Sequence, residues 1–217
     1  MSAVQFLSRA QQPRIWTSTA DPTNGDDTAD GVNVGDGWIN TASLQEFVCI
    51  SAAAGAARWR HKPWTAGQGV GPADHTGDTN NTKVGSVLIP AGCMGANGRL
   101  EISVNWSNNN SGNNKTRTVY FGAADDLTGT QFSATNATTT VATNFLHAIQ
   151  NMNATNAQEG NHAVSATGGP GSFGSVVTAA IDTAAAAYVV FAVQLANSGD
   201  SAGLDHYTVK LFRPDIT

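Results

Sequence analysis

The stretch of sequence that decides the fold is residues 99–106, which read RLEISVNW. Every second residue is apolar, so the apolar side chains share one face, and this period of two is that of a half-buried β-strand. Residues 107–114, SNNNSGNN, have the composition of a loop, and residues 115–121, KTRTVYF, are rich in β-branched and aromatic residues. The pattern therefore predicts a long-looped β-hairpin over residues 99–121.

The same alternation of strand and Gly/Asn-rich loop continues through the C-terminal two thirds of the chain. Further strands are predicted at residues 83–89, 176–181, 187–195 and 205–212, with a loop at 196–203. Residues 140–152 match both helical and strand spacing, but the Asn residues and the Thr run before them disfavour a helix, and we expect a strand. Short strands repeated at this spacing predict an all-β sandwich or barrel.

The first third of the chain has a different texture. A small hairpin is predicted from residues 38–40 and 46–50, after a segment dense in Asp, Asn, Gly and Thr. A polar linker near residue 75 separates it from the remaining strands. The predicted organisation is an extended N-terminal anchor arm over residues 1–20, a small β-module over residues 21–75 and a β-sandwich over residues 76–217.

Charge is sparse in this chain and excludes several classes of partner. Charged residues make up 12% of the sequence, about half of the roughly 25% of an average soluble domain. Acidic residues outnumber basic ones, 16 to 11, and no basic patch is visible, so we expect no binding to nucleic acid or to an anionic membrane. The longest apolar run, residues 184–193, is too short to span a bilayer, and no secretory signal is visible. We expect a soluble protein made in a cytoplasm.

The two cysteines and the aspartate-rich segment are candidate sites. Cys49 and Cys93 belong to no CxxC pair, and we expect two unpaired thiols, with Cys49 buried; a disulfide between them is the alternative. In residues 21–36, an EF-hand alignment from Asp26 places Gly37 where a bidentate Glu is required. We expect a solvated turn-forming loop there, with an irregular calcium site as the alternative.

Candidate catalytic groups are scattered. The five histidines are His61, His75, His147, His162 and His206. Asp74 and Asp78 flank His75, but that loop has no second histidine. The pair Asp125 and Asp126 has the composition of a turn, where adjacent carboxylates seldom face one another across a cleft. Familiar catalytic motifs are absent. We therefore expect no enzyme, no cofactor and no metal.

The uncharged polar composition suggests two uses. Asn, Thr, Ser and Gly offer hydrogen bonds that suit sugar hydroxyls, and they allow many copies to pack without mutual repulsion. Leu, Ile, Val and Phe are few for a self-sufficient monomer of this size, which favours burial of surface between identical chains.

Parts of the sequence resemble proteins of tailed bacteriophages. A small β-module of their virion proteins, notably tail fibres, is similar to residues 21–27 (DPTNGDD), 31–41 (GVNVGDGWINT), 46–50 (EFVCI) and 56–59 (AARW). A phage jelly-roll domain, found in fibre tips and capsid-surface proteins, is similar to residues 89–92, 95–100, 115–117, 121–122, 151–158 and 181–183. The insert at residues 71–81 and Cys93 depart from that pattern.

The resemblance implies an all-β chain, a small N-terminal β-hairpin module followed by a jelly-roll-like β-sandwich. It implies a non-enzymatic structural component of the virion, made in the bacterial cytoplasm: a short fibre or spike, or a capsid decoration protein on head or tail. Such proteins are typically homotrimers, and the N-terminal region would contact other virion proteins of the capsid or tail.

The sequence also allows two rival functions. The first is a receptor-binding tip for host cell-surface carbohydrate, with exposed Trp106 or Tyr120 stacking on a sugar; the alternative places Trp106 in the core. The second is a depolymerase, which requires a carboxylate pair that the sequence does not reveal.

Overall fold

The computed structural model describes residues 12–161, 176–214 and Ile216. These residues form fifteen strands and no helix, so the chain is all-β over the part described. They divide into two compact units. The first runs through Lys62 and takes in Pro214 and Ile216, and the second is Pro63–Arg213.

The first unit is one four-stranded sheet. Its strands, in the order in which they pair, are β1 (Ile15–Ser18), β2 (Gly37–Asn40), β3 (Gln45–Ser51) and β4 (Arg58–His61). The predicted hairpin is confirmed as β2 and β3, which are antiparallel. The prediction of an extended arm over residues 1–20 is corrected in part, because residues 15–18 are β1, parallel to β2. Residues 1–11 of that arm lie outside the described residues.

Two tryptophans form the centre of this unit. Trp38 and Trp59 meet edge to face with their ring centroids 5.6 Å apart. Each indole also finds a backbone acceptor, because Trp38 Nε1 donates to the Ala20 carbonyl at 2.9 Å and Trp59 Nε1 donates to the Asp26 carbonyl at 3.3 Å. Buried tryptophans supply a large apolar area to a small core, and the hydrogen bonds of their N–H groups fix the orientation of the rings.

A buried carboxylate, Asp36, joins the N-terminal strand to this sheet. Its Oδ1 accepts the Arg14 amide at 2.8 Å, and its Oδ2 accepts Trp16 Nε1 and the Asn33 amide, each at 3.1 Å. Burial raises the pKa of the Asp36 carboxyl, but these hydrogen bonds and the Arg14 guanidinium outweigh it and hold the pKa below its ordinary value.

The second unit contains two sheets. Its strands are β5 (Trp64–Val70), β6 (His75–Thr76), β7 (Thr82–Ile89), β8 (Arg99–Asn108), β9 (Lys115–Gly122), β10 (Thr130–Ala137), β11 (Ala142–Asn151), β12 (Gln158–Asn161), β13 (Val176–Ala179), β14 (Ala187–Leu195) and β15 (Ser201–Phe212). The smaller sheet has the order β10-β9-β14-β7, and the larger has the order β13-β12-β11-β8-β15-β5, with β6 paired to β15.

The pairing of eight of these strands is nested. Taking β5, β7, β8, β9, β10, β11, β14 and β15 in chain order, the first pairs with the last, the second with the seventh, the third with the sixth and the fourth with the fifth. Two four-stranded layers wound in this way are a jelly roll. The predicted jelly-roll-like β-sandwich is confirmed, and β12 and β13 extend its larger sheet.

The predicted hairpin over residues 99–121 is wrong, although both of its strands exist. β8 pairs with β11 and β15 in the larger sheet, whereas β9 pairs with β10 and β14 in the smaller one. The loop between them crosses from one sheet to the other. Alternation shows that a strand buries one face, but it does not identify the strand beside it.

The boundary between the units falls between Lys62 and Pro63 rather than near residue 75. Residues 64–70 form β5, which pairs with β15 at the edge of the larger sheet. This strand, WTAGQGV, contains two glycines and only three apolar residues, so its sequence carries little of the alternation that marks a strand.

The core of the second unit lies between the sheets. Trp106 of β8 and Phe191 of β14 are fully buried and meet across the layers with centroids 6.2 Å apart. Residues 142–151 form β11, which confirms the strand expected there, and Phe145 and Ile149 are on its buried face.

Both cysteines are buried and unpaired, so the disulfide alternative is wrong. Burial raises the pKa of the Cys49 thiol and raises the pKa of Cys93 to about 12. The thiolate is the reactive form, and both thiols are shielded from solvent.

We predict that the native protein at pH 8 does not react with Ellman's reagent within minutes, because both thiols are protonated and inaccessible. In denaturant, absorbance should report both thiols, the two free cysteines of the chain. Rapid modification of either cysteine without denaturant would contradict the buried placement.

A second prediction concerns Asp36. Because its pKa lies below the ordinary value of 3.8, the charged form stabilises the folded unit fully above about pH 4, and this stabilisation is lost as the pH falls further. Asp36→Asn should lower the free energy of unfolding of the first unit at pH 7 by about 2 kcal/mol, since it removes charge-assisted hydrogen bonds. Amide hydrogen exchange of β3 residues measures this. The matched control is Asp30→Asn, in the same segment and exposed; equal effects of the two variants would refute the role of Asp36.

Candidate functional site

Loops cover the outer face of the smaller sheet of the jelly roll. Asn81 donates to the Tyr120 hydroxyl at 2.9 Å, and Gln194 donates to the Thr79 carbonyl at 3.3 Å. Leu127 packs from another loop on the apolar cluster that contains Tyr120 and Val190. This face is therefore occupied by the chain itself.

The outer face of the larger sheet carries a shallow groove along β8. At its middle the small Ser103 lies in register between Leu146 of β11 and Thr208 of β15. One pocket of about 240 Å³ is lined by Glu101, Ser103, Leu146, Thr208 and Lys210. An adjoining pocket of about 200 Å³ is lined by Asn105, Trp106, Ala142, Thr143, Asn144 and Asp205. We call these two pockets together the β8 groove.

A hydrogen-bonded row of three side chains crosses the groove. Asn144, Asn105 and His206 lie in register on three adjacent strands. Asn144 Nδ2 donates to Asn105 Oδ1, and Asn105 Nδ2 lies 2.7 Å from His206 Nε2. These contacts hold both amide groups in a fixed orientation.

A β-bulge shapes one side of the groove. The register of β15 against β8 shifts between Leu204 and His206, which leaves Asp205 as the extra residue. As a result two consecutive side chains, Asp205 and His206, are exposed, whereas regular alternation would expose only one. Bulges often re-aim a side chain in this way beside functional sites.

Charges of both signs lie in and beside the groove. Glu101 forms an ion pair with Arg99, and Lys210 lies opposite Glu101 in the register. Asp205 is the second acidic residue, and the Asp74 carboxylate accepts the Ser107 hydroxyl at 3.0 Å just beyond Asn105. Three acidic and two basic groups therefore lie in and beside the groove, and this mixture of signs favours an uncharged polar ligand over an anionic one.

The aromatic residues predicted to stack on a sugar do not do so. Trp106 is 1% exposed and packs in the core, which confirms the alternative given for it. Tyr120 is 9% exposed and its hydroxyl is bonded to Asn81. Stacking by either residue is therefore excluded, since neither ring has a free face on the surface.

The histidines are dispersed among several environments. His147 is buried and stacks on Phe145, and His61 is buried with Nε2 2.5 Å from Gln45 Oε1. His75 Nε2 lies 3.3 Å from Asp78 Oδ1. His206 alone of the described histidines borders the β8 groove, and His162 lies outside the described residues.

The acidic residues considered from sequence have structural partners. Asp27 accepts the amides of Gly55 and Ala29, and these hydrogen bonds lower the pKa of its carboxyl. Asp125 pairs with Lys83 at 2.9 Å, and Asp126 accepts the Thr128 hydroxyl at 2.6 Å, in the expected turn. Among the described residues, no cluster of three or more His, Cys, Asp or Glu side chains is placed to hold a metal ion.

The two carboxylates that line the groove lie at different levels along β8. Asp205 adjoins the level of Asn105, whereas Glu101 is four residues away along β8, about 13 Å of backbone at the rise of a strand. The paired carboxylates of glycosidases lie about 5 to 9.5 Å apart.

Comparisons with known proteins place the chain in no family. No protein-family model and no curated protein matches it. A solved structure described as "Structure of infectious bursal disease virus Gx strain" is similar over 70% of this chain and 40% of that chain, at 12% identity and a TM-score of 0.21. The chain thus spans less than half the length of that neighbour, and a likeness at this TM-score carries no argument about fold or function. No helix among the described residues is long and apolar enough to cross a membrane.

Proposed function

We propose that this chain is a non-enzymatic structural protein displayed on a virus particle of the tailed-phage type, as a short spike or fibre or as a capsid decoration. The observation that carries the proposal is the convergence of the resembling residues in the first unit. Val32 and Trp38 come from one of the resembling stretches, Phe47 from another and Trp59 from a third, and all are buried in one core. The resemblance therefore rests on residues that build a module, not on scattered matches of composition.

The jelly roll supports the same proposal. Its two sheets close over a core that includes Trp106 and Phe191, and much of its outer surface is uncharged and polar. Such a surface allows copies to lie side by side without strong repulsion. The spacing of Glu101 and Asp205 supports the non-enzymatic part.

We further propose a homotrimer, joined through the first unit. The outer face of its sheet carries Ile15, which is 64% exposed, and the half-buried Ile39 and Val48, with Glu46 and Arg60 in register beside them. Apolar side chains on a sheet face gain free energy when a second chain covers them, and the two charged residues can pair across the contact. In this proposal the N-terminal region attaches the protein to the virus particle, and the jelly roll is exposed on the particle surface.

We predict a mass near three times 22.4 kDa by light scattering at micromolar concentration. Ile15→Glu should shift the protein to monomer, because it places a charge in the proposed contact. The control, Val70→Glu, makes the same kind of change at a valine of the second unit that is 82% exposed, and should leave the trimer intact. A monomeric wild-type chain would refute the trimer.

Immunogold electron microscopy tests the location. Antibodies raised against the purified chain should label intact particles of the virus that encodes it, at regular positions on head or tail. Labelling confined to host-cell debris, with unlabelled particles, would refute a virion protein whatever its oligomeric state.

A further inference from the structure

We propose that the β8 groove binds an uncharged oligosaccharide. This inference goes beyond the structural role proposed above and is independent of it. It rests on four features of the groove: its shape, the chemistry of its lining, its mixture of acidic and basic groups and the fixed orientation of its polar groups.

The shape suits a short chain of sugars. Ser103 forms a low floor between the taller Leu146 and Thr208. The groove extends from the level of Glu101 to that of Asn105, about 13 Å. It is open along the outer face of the sheet, so a ligand longer than the groove could continue beyond either end.

The lining offers what hydroxyl groups need, since each hydroxyl both donates and accepts a hydrogen bond. The carboxylates of Glu101 and Asp205 accept, and the Lys210 ammonium donates. The amides of Asn105 and Asn144 do both. Both ends of the groove therefore offer donors as well as acceptors.

The mixture of acidic and basic groups limits the chemical class of the ligand. Glu101 has Arg99 as an ion-pair partner, and Lys210 lies opposite Glu101. A phosphate or sulfate would meet the Asp205 carboxylate, and a cationic ligand would meet Lys210. An uncharged polyhydroxyl ligand meets neither penalty. Leu146, 54% exposed, supplies an apolar wall for the C–H groups of a sugar ring.

The polar groups are held in place before a ligand arrives. Asn105 is bonded on one side to Asn144 and on the other to His206, and the bulge directs Asp205 outward. Groups that are already ordered lose little conformational entropy on binding, so weak individual hydrogen bonds can add up to a useful affinity.

The test begins with an array that carries neutral hexose and N-acetylhexosamine oligosaccharides beside their sialylated and sulfated counterparts. We expect the labelled full chain to bind a subset of the neutral oligosaccharides. The strongest of these is then titrated by calorimetry, and its affinity should change little between 50 and 500 mM NaCl, in keeping with an uncharged ligand.

Three variants locate the site. Ser103→Trp fills the groove and should abolish measurable binding. Asp205→Asn, an isosteric change on an exposed residue that preserves the fold, should weaken binding about tenfold by removing a charged acceptor. The control is Thr178→Trp, which places the same ring on an exposed position of β13 in the same sheet, outside the groove, and should bind as wild type.

Three outcomes would overturn the inference. They are failure to bind any neutral oligosaccharide, binding restricted to charged ones with strong salt dependence, and full affinity in both groove variants. The proposed function fails separately, because a monomeric chain or unlabelled particles would leave the binding result unchanged.

Discussion

A β-strand has two hydrogen-bonding edges and two faces, and β8 uses all four. Its edges pair with β11 and β15, and its inner face supplies Leu100, Ile102, Val104 and Trp106 to the core. Its outer face is the floor of the β8 groove. Because one strand serves both the core and the groove, the packing that stabilises the jelly roll also sets the positions of the polar side chains on the other side of the sheet.

The first unit depends on a different kind of interaction. Its apolar cluster is small, and the buried carboxylates of Asp27 and Asp36 organise the turns around it by accepting backbone amides. A carboxylate that accepts several N–H groups orders a loop that has little apolar surface to bury. Asp27 and Asp36 belong to the segment whose aspartates suggest a calcium site in the sequence, and in the structure their carboxylates accept hydrogen bonds from backbone amides.

Strand positions could be predicted because alternation is a local property of the sequence. Residues 99–106 and 187–195 lie in strands, and residues 142–151 of the segment 140–152 form a strand. Strand partners cannot be predicted in the same way, since the predicted hairpin over residues 99–121 joins strands of different sheets. The sequence does not reveal β5, because its two glycines interrupt the alternation, and the boundary between the units therefore lies earlier than predicted.

The sequence by itself determined the all-β class, the burial of Trp106 and the low content of charged residues, because composition and a period of two are enough for these. Only the tertiary structure decided the groove. Its residues lie near positions 101–105, 142–146 and 205–210, and each is an ordinary polar or apolar residue in its own strand. They become a site because nested pairing brings three distant strands side by side, and because one extra residue in β15 turns Asp205 and His206 to the same face.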